Sequence, residues 1–186
     1  MAQRNSGYDR LPNDKYVTEP WVIEDALAPH IPKRIREVWE PAQGNGDMVK
    51  ALRRLGLKVI GTDIETGTDF LTCKTRDVFA VITNPPFDQE EEFIERALAM
   101  TRKRKGFVAM VARPGFSYAK TRYHLFAGCP CYAGKIEMTR RIEWFPRKPP
   151  DFNGPSEYHC WLLWDWRHRG PPVHLFYYEP KHMEAA

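Results

Sequence analysis

The sequence is poor in the features that mark membrane-spanning and secreted proteins. No apolar run approaches the roughly 20 residues that cross a bilayer, and the first residues lack the apolar segment of a secretory signal. Four cysteines are too few to form a disulfide framework in 186 residues. We therefore expect a cytoplasmic protein with reduced thiols.

Metal ligands at a usual spacing are also scarce. Cys129 and Cys131 flank a proline, and His124 lies nearby in the sequence. A structural zinc site needs a second ligand pair at a usual spacing, and the chain offers none. We expect no metal.

The composition is that of an ordinary globular protein, with 42% hydrophobic and 28% charged residues. Residues 1–15 are polar and show no periodicity, so we predict a flexible N-terminal arm there. Because repeats and linkers are absent, we predict one domain over residues 16–186. The net charge is +4, and the basic residues cluster. Such clusters are consistent with a nucleic-acid partner and equally with a solvated surface.

A strand–helix–strand unit is predicted between Glu40 and Asp63. A short strand over residues 36–40 leads into a loop that contains Gly44 and Gly46. Apolar residues at helical spacing follow, Gly56 ends that helix, and a second strand ends just before Asp63. Glycines there let a ligand approach the backbone, and the helix N-terminus offers free N–H groups.

The details of this unit favour S-adenosylmethionine (SAM) over NAD. The loop lacks the third glycine of the dinucleotide fingerprint, and Asp47 just beyond it would repel a pyrophosphate. A carboxylate there suits the ammonium group of an amino acid. Asp63 lies about 20 residues past the loop, where a carboxylate meets ribose hydroxyls in such units. Asp69 is either an acceptor for a nucleotide amine or part of a turn.

Further elements follow from the apolar pattern. A helix is predicted around Trp21 to Leu27, because Thr18 suits an N-cap and Pro20 a first turn. The later predictions are an amphipathic helix that includes residues 93–98, a strand over 107–112, a helix over 118–127, and strands over 135–144, 158–166 and 173–178.

The segment Asn84-Pro85-Pro86-Phe87 follows the apolar run Val78–Ile82. Such a run is typical of a strand buried on both faces of a parallel sheet. The two prolines stop the strand and stiffen the loop. Open α/β sheets bind their ligands at this end of their strands. The loop can therefore be a binding element, or a plain turn with Phe87 in the core.

The loop suits one chemical task. The amine of adenine is a poor nucleophile, because its lone pair is delocalised into the ring. The side-chain oxygen of Asn84 and the carbonyl of Pro85 can each accept one of its N–H bonds, which favours a pyramidal nitrogen. The prolines supply the rigidity that such preorganisation requires, and Phe87 offers a ring on which a base can stack.

Taken in order, these segments resemble the amino-type DNA methyltransferases of the adenine-N6 branch. Asn84-Pro-Pro-Phe is similar to the family's catalytic motif, and Trp161-Leu-Leu-Trp-Asp to its late antiparallel strand. The compact layout resembles phage and prophage members. The other matching motifs are Tyr16-Val-Thr-Glu-Pro, Glu40-Pro-Ala-Gln-Gly-Asn-Gly, Gly61-Thr-Asp-Ile and Asp69-Phe-Leu.

The resemblance implies a single-domain, Rossmann-like SAM-dependent methyltransferase fold, in which a seven-stranded, mostly parallel sheet has helices on both faces. It implies catalytic roles for Asn84, Pro85, Pro86 and Phe87, and nucleic acid, DNA above all, as the partner. Phosphate contacts are expected from Arg140, Arg141, Arg147 and Lys148. The residues expected to bind SAM are Tyr16, Thr18, Glu40, Pro41, Gly44, Gly46, Asp63, Ile64, Asp69, Phe70 and Asn84.

Three alternatives stay open at this point. Asn-Pro-Pro with an aromatic also occurs in proteins that resemble rRNA guanine-N2 methyltransferases and protein-glutamine methyltransferases. A nucleic-acid-binding module without catalytic activity is the third. The N-terminal motif and the Trp161 strand argue against the first two, and the presence of both Asn84 and Glu40 argues against the third.

Overall fold

The computed structural model describes residues 17–75, 77–143 and 157–179. The predicted arm and the predicted site residues Tyr16, Arg147 and Lys148 lie outside the described residues. Within them, no helix is both long enough and apolar enough to cross a membrane. The strands are β1 (Glu37–Glu40), β2 (Lys58–Gly61), β3 (Ala80–Thr83), β4 (Phe107–Ala112), β5 (Tyr132–Met138), β6 (Cys160–Asp165) and β7 (Val173–Tyr177).

In the described part of the chain, the seven strands form one sheet in the order β2-β1-β3-β4-β6-β5-β7. The neighbours from β2 to β4 are parallel, β6 is antiparallel to both β4 and β5, and β7 is parallel to β5. Six of these strands therefore share one direction. The predicted mostly parallel sheet and the antiparallel Trp161 strand are confirmed.

Helices cover both faces of the sheet, as predicted. On one face α1 (Asp47–Arg54) and a π-helix (Val22–Leu27) bury their apolar residues against alternate strand positions such as Ile82. On the other face α2 (Glu90–Arg102) packs with Phe93 and Ile94 against positions such as Val81. Every residue of β3 and β4 is buried, because helices cover both faces of these central strands.

Several predicted boundaries differ from the structure. Of the predicted helix over 118–127, the structure forms only a 3₁₀ helix at Lys120–Leu125, and a separate 3₁₀ helix precedes it at Pro114–Tyr118. Strand β5 begins earlier than predicted and ends at Met138, the last residue that pairs with β7. The C-terminus of α1 agrees with the prediction, since Gly56 has a φ of +80°.

The connections place one crevice at the carboxyl edge of the sheet. From β1 the chain passes through α1 to β2 on one side, and then returns to form β3 on the other side of β1. Loops that leave β1 and β3 therefore diverge between these two strands. In open α/β sheets such a switch point is where ligands bind.

Candidate active site

The glycine loop leaves β1 and leads into α1. Gly44 and Gly46 have φ angles of +48° and +79°, in the left-handed region that favours glycine. Gly61 at the end of β2 lets the loop lie close, since a Cβ there would come within 2.1 Å of Gln43 Oε1. Around Gly44 and Gly46 a Cβ would meet nothing within 4 Å. Open space therefore faces the loop backbone.

Glu40 ends β1 beneath this loop and is 1% exposed. Its Oε1 accepts hydrogen bonds from Thr83 Oγ1 at 2.6 Å and from the backbone N–H of Ala42 at 2.9 Å. Burial raises the pKa of Glu40 to about 8, with a smaller rise from Asp63, although both hydrogen bonds oppose the shift. This carboxyl links the ends of β1 and β3 one residue before Asn84.

Asp63 joins the glycine loop to the end of β2. Its Oδ2 accepts from the N–H of Gly44 at 2.9 Å, and its Oδ1 accepts from the N–H of Glu65 at 3.0 Å. The side chain is 9% exposed. The structure therefore brings together the predicted pair of a glycine loop and an acidic residue, and it shows that Asp63 also holds the loop in place.

The predicted adenine-binding segment has structural contacts of its own. Asp69 forms a turn, because its two carboxylate oxygens accept from the N–H of Leu71 and from Thr72 Oγ1, each at 2.8 Å. The Phe70 ring is 2% exposed and packs on Trp39. Its side chain lies in the core, so a contact between this ring and a cofactor stays a prediction without support from the packing.

Ile64, next to Asp63, has the opposite surroundings. Its side chain is 58% exposed, and it begins a short 3₁₀ helix at Ile64–Thr66. An apolar side chain this exposed beside the glycine loop is available for contact with a planar ring of a ligand. Pro41, at the start of the loop, is buried.

The N-terminal segment reaches the same edge of the sheet. Thr18 is 5% exposed. The neighbouring Glu19 contacts the segment after β5: its Oε1 lies 3.0 Å from Arg140, and its Oε2 accepts from the N–H of Glu143 at 2.8 Å. The predicted motif around Thr18 is thus anchored at the carboxyl edge, on the face that carries the π-helix.

The predicted catalytic loop begins directly after β3. Asn84 is half-buried, and its Oδ1 is buried without a hydrogen-bond partner among the described residues. Pro85 is buried, and the Pro86 carbonyl accepts from the N–H of Gln89 at 3.0 Å, just before α2. A buried acceptor without a donor costs about 1–3 kcal/mol. Asn84 therefore presents an acceptor that a ligand with an N–H donor would satisfy.

Phe87 lies among residues that the sequence pattern did not single out. Its ring stacks on His159, with the centroids 5.3 Å apart and an interplanar angle of 24°. The guanidinium of Arg113 lies 5.9 Å from the same ring and donates to the Phe87 carbonyl at 3.3 Å. Arg113 follows the buried strand β4 just as Asn84 follows β3, and this shared position could have identified it.

The predicted basic residues separate into two kinds. Arg140 is engaged within the protein, since it contacts Glu19 and Glu179 and lies over the Trp21 ring at 4.8 Å. Arg141 is exposed, with its guanidinium 4.4 Å from the ring centre of Tyr158. Of the two side chains, that of Arg141 is the more exposed, and its contact with a phosphate stays a prediction.

The cysteines and histidine weighed as metal ligands do not converge. Cys129 and Cys131 lie 3.3 Å apart at their sulfurs, while His124 contacts Glu95 at 2.9 Å. Glu91 joins His124 and Glu95 in a surface cluster within 4.8 Å. Arg122 lies 2.8 Å from Glu91, so a cation of the chain already contacts this cluster.

Solved methyltransferase structures share this fold. One is described as a class I SAM-dependent methyltransferase from Listeria monocytogenes, with a TM-score of 0.56 and 14% identity over 84% of this chain. Another is the methyltransferase subunit of a type I restriction-modification system from Streptococcus thermophilus, with a TM-score of 0.54 and 13% identity over 83% of this chain. The present chain spans 62% and 45% of their respective lengths.

A third similar structure is described as an RNA methyltransferase from Pyrococcus horikoshii, with a TM-score of 0.55 and 15% identity over 78% of this chain and 80% of that one. No protein-family model and no curated protein matches the sequence. At these identities the likeness establishes the Rossmann-like methyltransferase fold.

Proposed function

We propose that the protein is a SAM-dependent methyltransferase that methylates an exocyclic amine, namely the N6 amine of adenine in DNA. The observation that carries this proposal is the buried oxygen of Asn84, which has no hydrogen-bond partner within residues 17–75, 77–143 and 157–179. It lies in a proline-stiffened loop at the switch point of a methyltransferase fold. An amine that donates N–H bonds is the chemical complement of such an acceptor.

The opposite side of the crevice fits SAM. Gly44 and Gly46 present open backbone, and the N–H groups at the start of α1 lie behind them. Asp63 stands at the end of β2, from which a carboxylate reaches ribose hydroxyls in this type of fold. Glu40 supplies a second acidic group, and a positively charged ligand beside it would favour its ionised form against the burial that raises its pKa. When bound there, SAM would supply an electrophilic methyl group.

Asn84 acts on the nucleophile in this proposal. Its Oδ1 accepts one N–H of the target amine, and the Pro85 carbonyl accepts the other. Two acceptors out of the ring plane favour a pyramidal nitrogen, whose lone pair then attacks. With SAM bound, the N–CH₃ bond would form as the S–CH₃ bond breaks, S-adenosylhomocysteine would leave, and the nitrogen would release one proton to solvent. No side chain forms a covalent intermediate, and positioning supplies most of the barrier reduction.

A nucleic-acid acceptor agrees with the surroundings of this loop. The half-buried ring of Phe87 stands directly after the prolines, and stacking of a base on an aromatic ring contributes about 1–3 kcal/mol. A base in a duplex must first leave the stack, which costs a few kcal/mol. The fold likeness to a restriction-modification methyltransferase subunit supports the same choice of acceptor.

Labelled SAM and a panel of acceptors test this proposal. The purified protein is incubated with duplex DNA, single-stranded DNA, rRNA and a glutamine-containing protein, and the products are digested and identified by mass spectrometry. The expected product is N6-methyladenine in DNA. Label on guanine N2 or on glutamine would show that adenine N6 is not the acceptor. Tight SAM or DNA binding without any transfer would favour the non-catalytic module.

A further inference from the structure

Arg113 contacts the Asn84–Phe87 loop from the side opposite the glycine loop, and it also lies beside the buried Glu90. Arg113 follows β4, which pairs with β3 on the side away from β1. Its Nη2 donates to the carbonyl of Phe87 at 3.3 Å and lies 3.7 Å from Glu90 Oε2. One guanidinium therefore connects the last residue of the loop to the first residue of α2.

Glu90 is a buried acid with little hydrogen bonding. It is 2% exposed, and neither carboxylate oxygen has a hydrogen-bond partner among the described residues. A buried carboxylate is stable only with compensating charge or hydrogen bonds. The nearest compensation is Arg113, so removal of either partner would leave the other without its counterpart.

The ring of Phe87 completes this arrangement. It stacks on His159, and the guanidinium of Arg113 lies 5.9 Å from its centre. Burial, followed by the charge of Arg113, lowers the pKa of His159 to about 4. His159 is therefore neutral near pH 7, and its stacking on Phe87 does not place a second cation beside Arg113.

We propose that Arg113, held by Glu90, is a positioning residue that fixes the Asn84–Phe87 loop so that the Asn84 oxygen meets the target amine. This inference rests on the proposed function. Neither residue needs to touch SAM or the reacting atoms. The contacts act on the carbonyl and the ring of Phe87, at the end of the loop opposite to Asn84.

The pair also makes methyl transfer depend on pH. The ionisable groups that interact with Glu90 are the guanidinium groups of Arg113 and Arg122 and the thiol of Cys160. Burial raises the pKa of Glu90 to about 7, against the opposing charge of Arg113. As the pH falls through about 7 the carboxylate takes up a proton and its attraction for Arg113 is lost. The transfer rate should fall with it.

We call the pair of Arg113 and Glu90 the clamp. Three variants test it: Arg113→Gln, Arg113→Lys and Glu90→Gln. Single-turnover methylation of adenine-containing DNA should slow by about tenfold to a hundredfold in Arg113→Gln, the scale expected when a positioned group shifts by about 1 Å. Arg113→Lys should recover part of the rate, SAM affinity should stay the same in all three, and Glu90→Gln should lose the rate step near pH 7. Arg104→Gln is the control, because its guanidinium lies 4.6 Å from the exposed ring of Phe79 near the opposite edge of the sheet.

Hydrogen exchange of the peptide that spans residues 83–90 separates this inference from the proposed function. Faster exchange there in Arg113→Gln and in Glu90→Gln supports the clamp, even if the wild-type protein methylates no nucleic acid. Melting temperatures show whether each variant is folded. Wild-type exchange and a wild-type transfer rate in a folded Arg113→Gln or Glu90→Gln protein would overturn the inference.

Discussion

The two sides of the crevice differ in whether their polar side chains are already hydrogen-bonded within the protein. At the ends of β1 and β2, the carboxyl groups of Glu40 and Asp63 accept hydrogen bonds from Thr83 and from backbone N–H groups of their own region. After β3, the Asn84 oxygen lacks a hydrogen-bond partner among the described residues, and Glu90 is compensated by Arg113 at 3.7 Å. The carboxyl groups on the first side are already hydrogen-bonded within the protein, whereas the Asn84 oxygen on the second side is available to a donor from a ligand.

This difference assigns SAM binding to one side of the crevice and the methyl-transfer step to the other. A loop whose carboxylates are already satisfied is preformed, and a ligand adds contacts to a fixed frame. A stiff loop with an unpartnered acceptor has a destabilised group that a donor relieves, and proteins tend to hold such strain at functional sites. We therefore expect substitutions at the ends of β1 and β2 to alter SAM affinity and stability. Substitutions after β3 should alter the rate of methyl transfer.

The largest effect is expected for Asn84→Ala. Loss of one preorganised polar contact slows the chemical step by about 10²–10³-fold in other enzymes. SAM affinity should be unchanged, and stability should not fall, because the Asn84 oxygen makes no hydrogen bond in the described structure. Single-turnover methylation, SAM calorimetry and thermal melting on one preparation measure all three. Gln89→Ala, an exposed amide at the other end of the loop, is the matched control.

Glu40 should make the stability of the fold depend on pH. Because its folded pKa is raised from 4.5 to about 8, the folded protein binds this proton more tightly than the unfolded chain. The free energy of unfolding should therefore fall as the pH rises from about 4.5 through 8. A shift of this size corresponds to a few kcal/mol.

Denaturant unfolding at several pH values checks the effect of Glu40. Glu40→Gln should flatten the decline toward pH 8, since its amide oxygen can still accept from Thr83 and Ala42. Glu90→Gln should remove the part nearer pH 7, because the pKa of Glu90 is raised to about 7. A Glu40→Gln protein with the wild-type pH dependence would show that this carboxyl ionises normally.

Asp63→Ala should weaken SAM binding by about ten- to a hundredfold, the worth of a charge-assisted hydrogen bond of about 1.5–3 kcal/mol. It should also lower the free energy of unfolding, because Asp63 holds the N–H groups of Gly44 and Glu65. Calorimetry and denaturant unfolding measure the two effects. Glu65→Ala keeps that N–H group and serves as control. Unchanged SAM affinity in Asp63→Ala would remove Asp63 from the binding site.

The smallest effect separates the two arginines after β5. Arg141→Gln should reduce the salt dependence of DNA binding by about one phosphate contact, for all sequences alike. Arg140→Gln should mainly lower stability, since Arg140 already contacts Glu19 and Glu179. Fluorescence anisotropy over a salt series measures both slopes. Equal slopes for Arg141→Gln and the wild type would make Arg141 a solvated surface residue.

Sequence patterns predicted the fold well because its central unit is local. The alternation of strand, glycine loop, helix and strand from Glu40 to Asp63 lies within one continuous segment, and the buried run before Asn84 marks its strand directly. Phe70 was harder, because a motif match does not reveal that the ring packs on Trp39. The 3₁₀ helices after β4 likewise depend on tertiary packing rather than on periodicity.

The position of Arg113 after β4 could be read from the sequence, but its contacts with Phe87 and Glu90 could not be predicted from spacing. Arg113 and Phe87 are 26 residues apart, and His159 comes from another strand connection. Glu90 stands in an acidic run that is typical of a helix N-terminus. Its burial results from the packing of α2 beside the Asn84–Phe87 loop, which appears only once the chain is folded.

The most direct test of the account uses two oligonucleotides that differ in one group. One carries a single adenine, and the other carries purine, which lacks the amine, at that position. The wild-type protein is given labelled SAM, and single-turnover label incorporation is measured for each. If Asn84 binds the target amine, label should appear on N6 of the adenine and none on the purine oligonucleotide. Equal labelling of both would contradict the role assigned to Asn84.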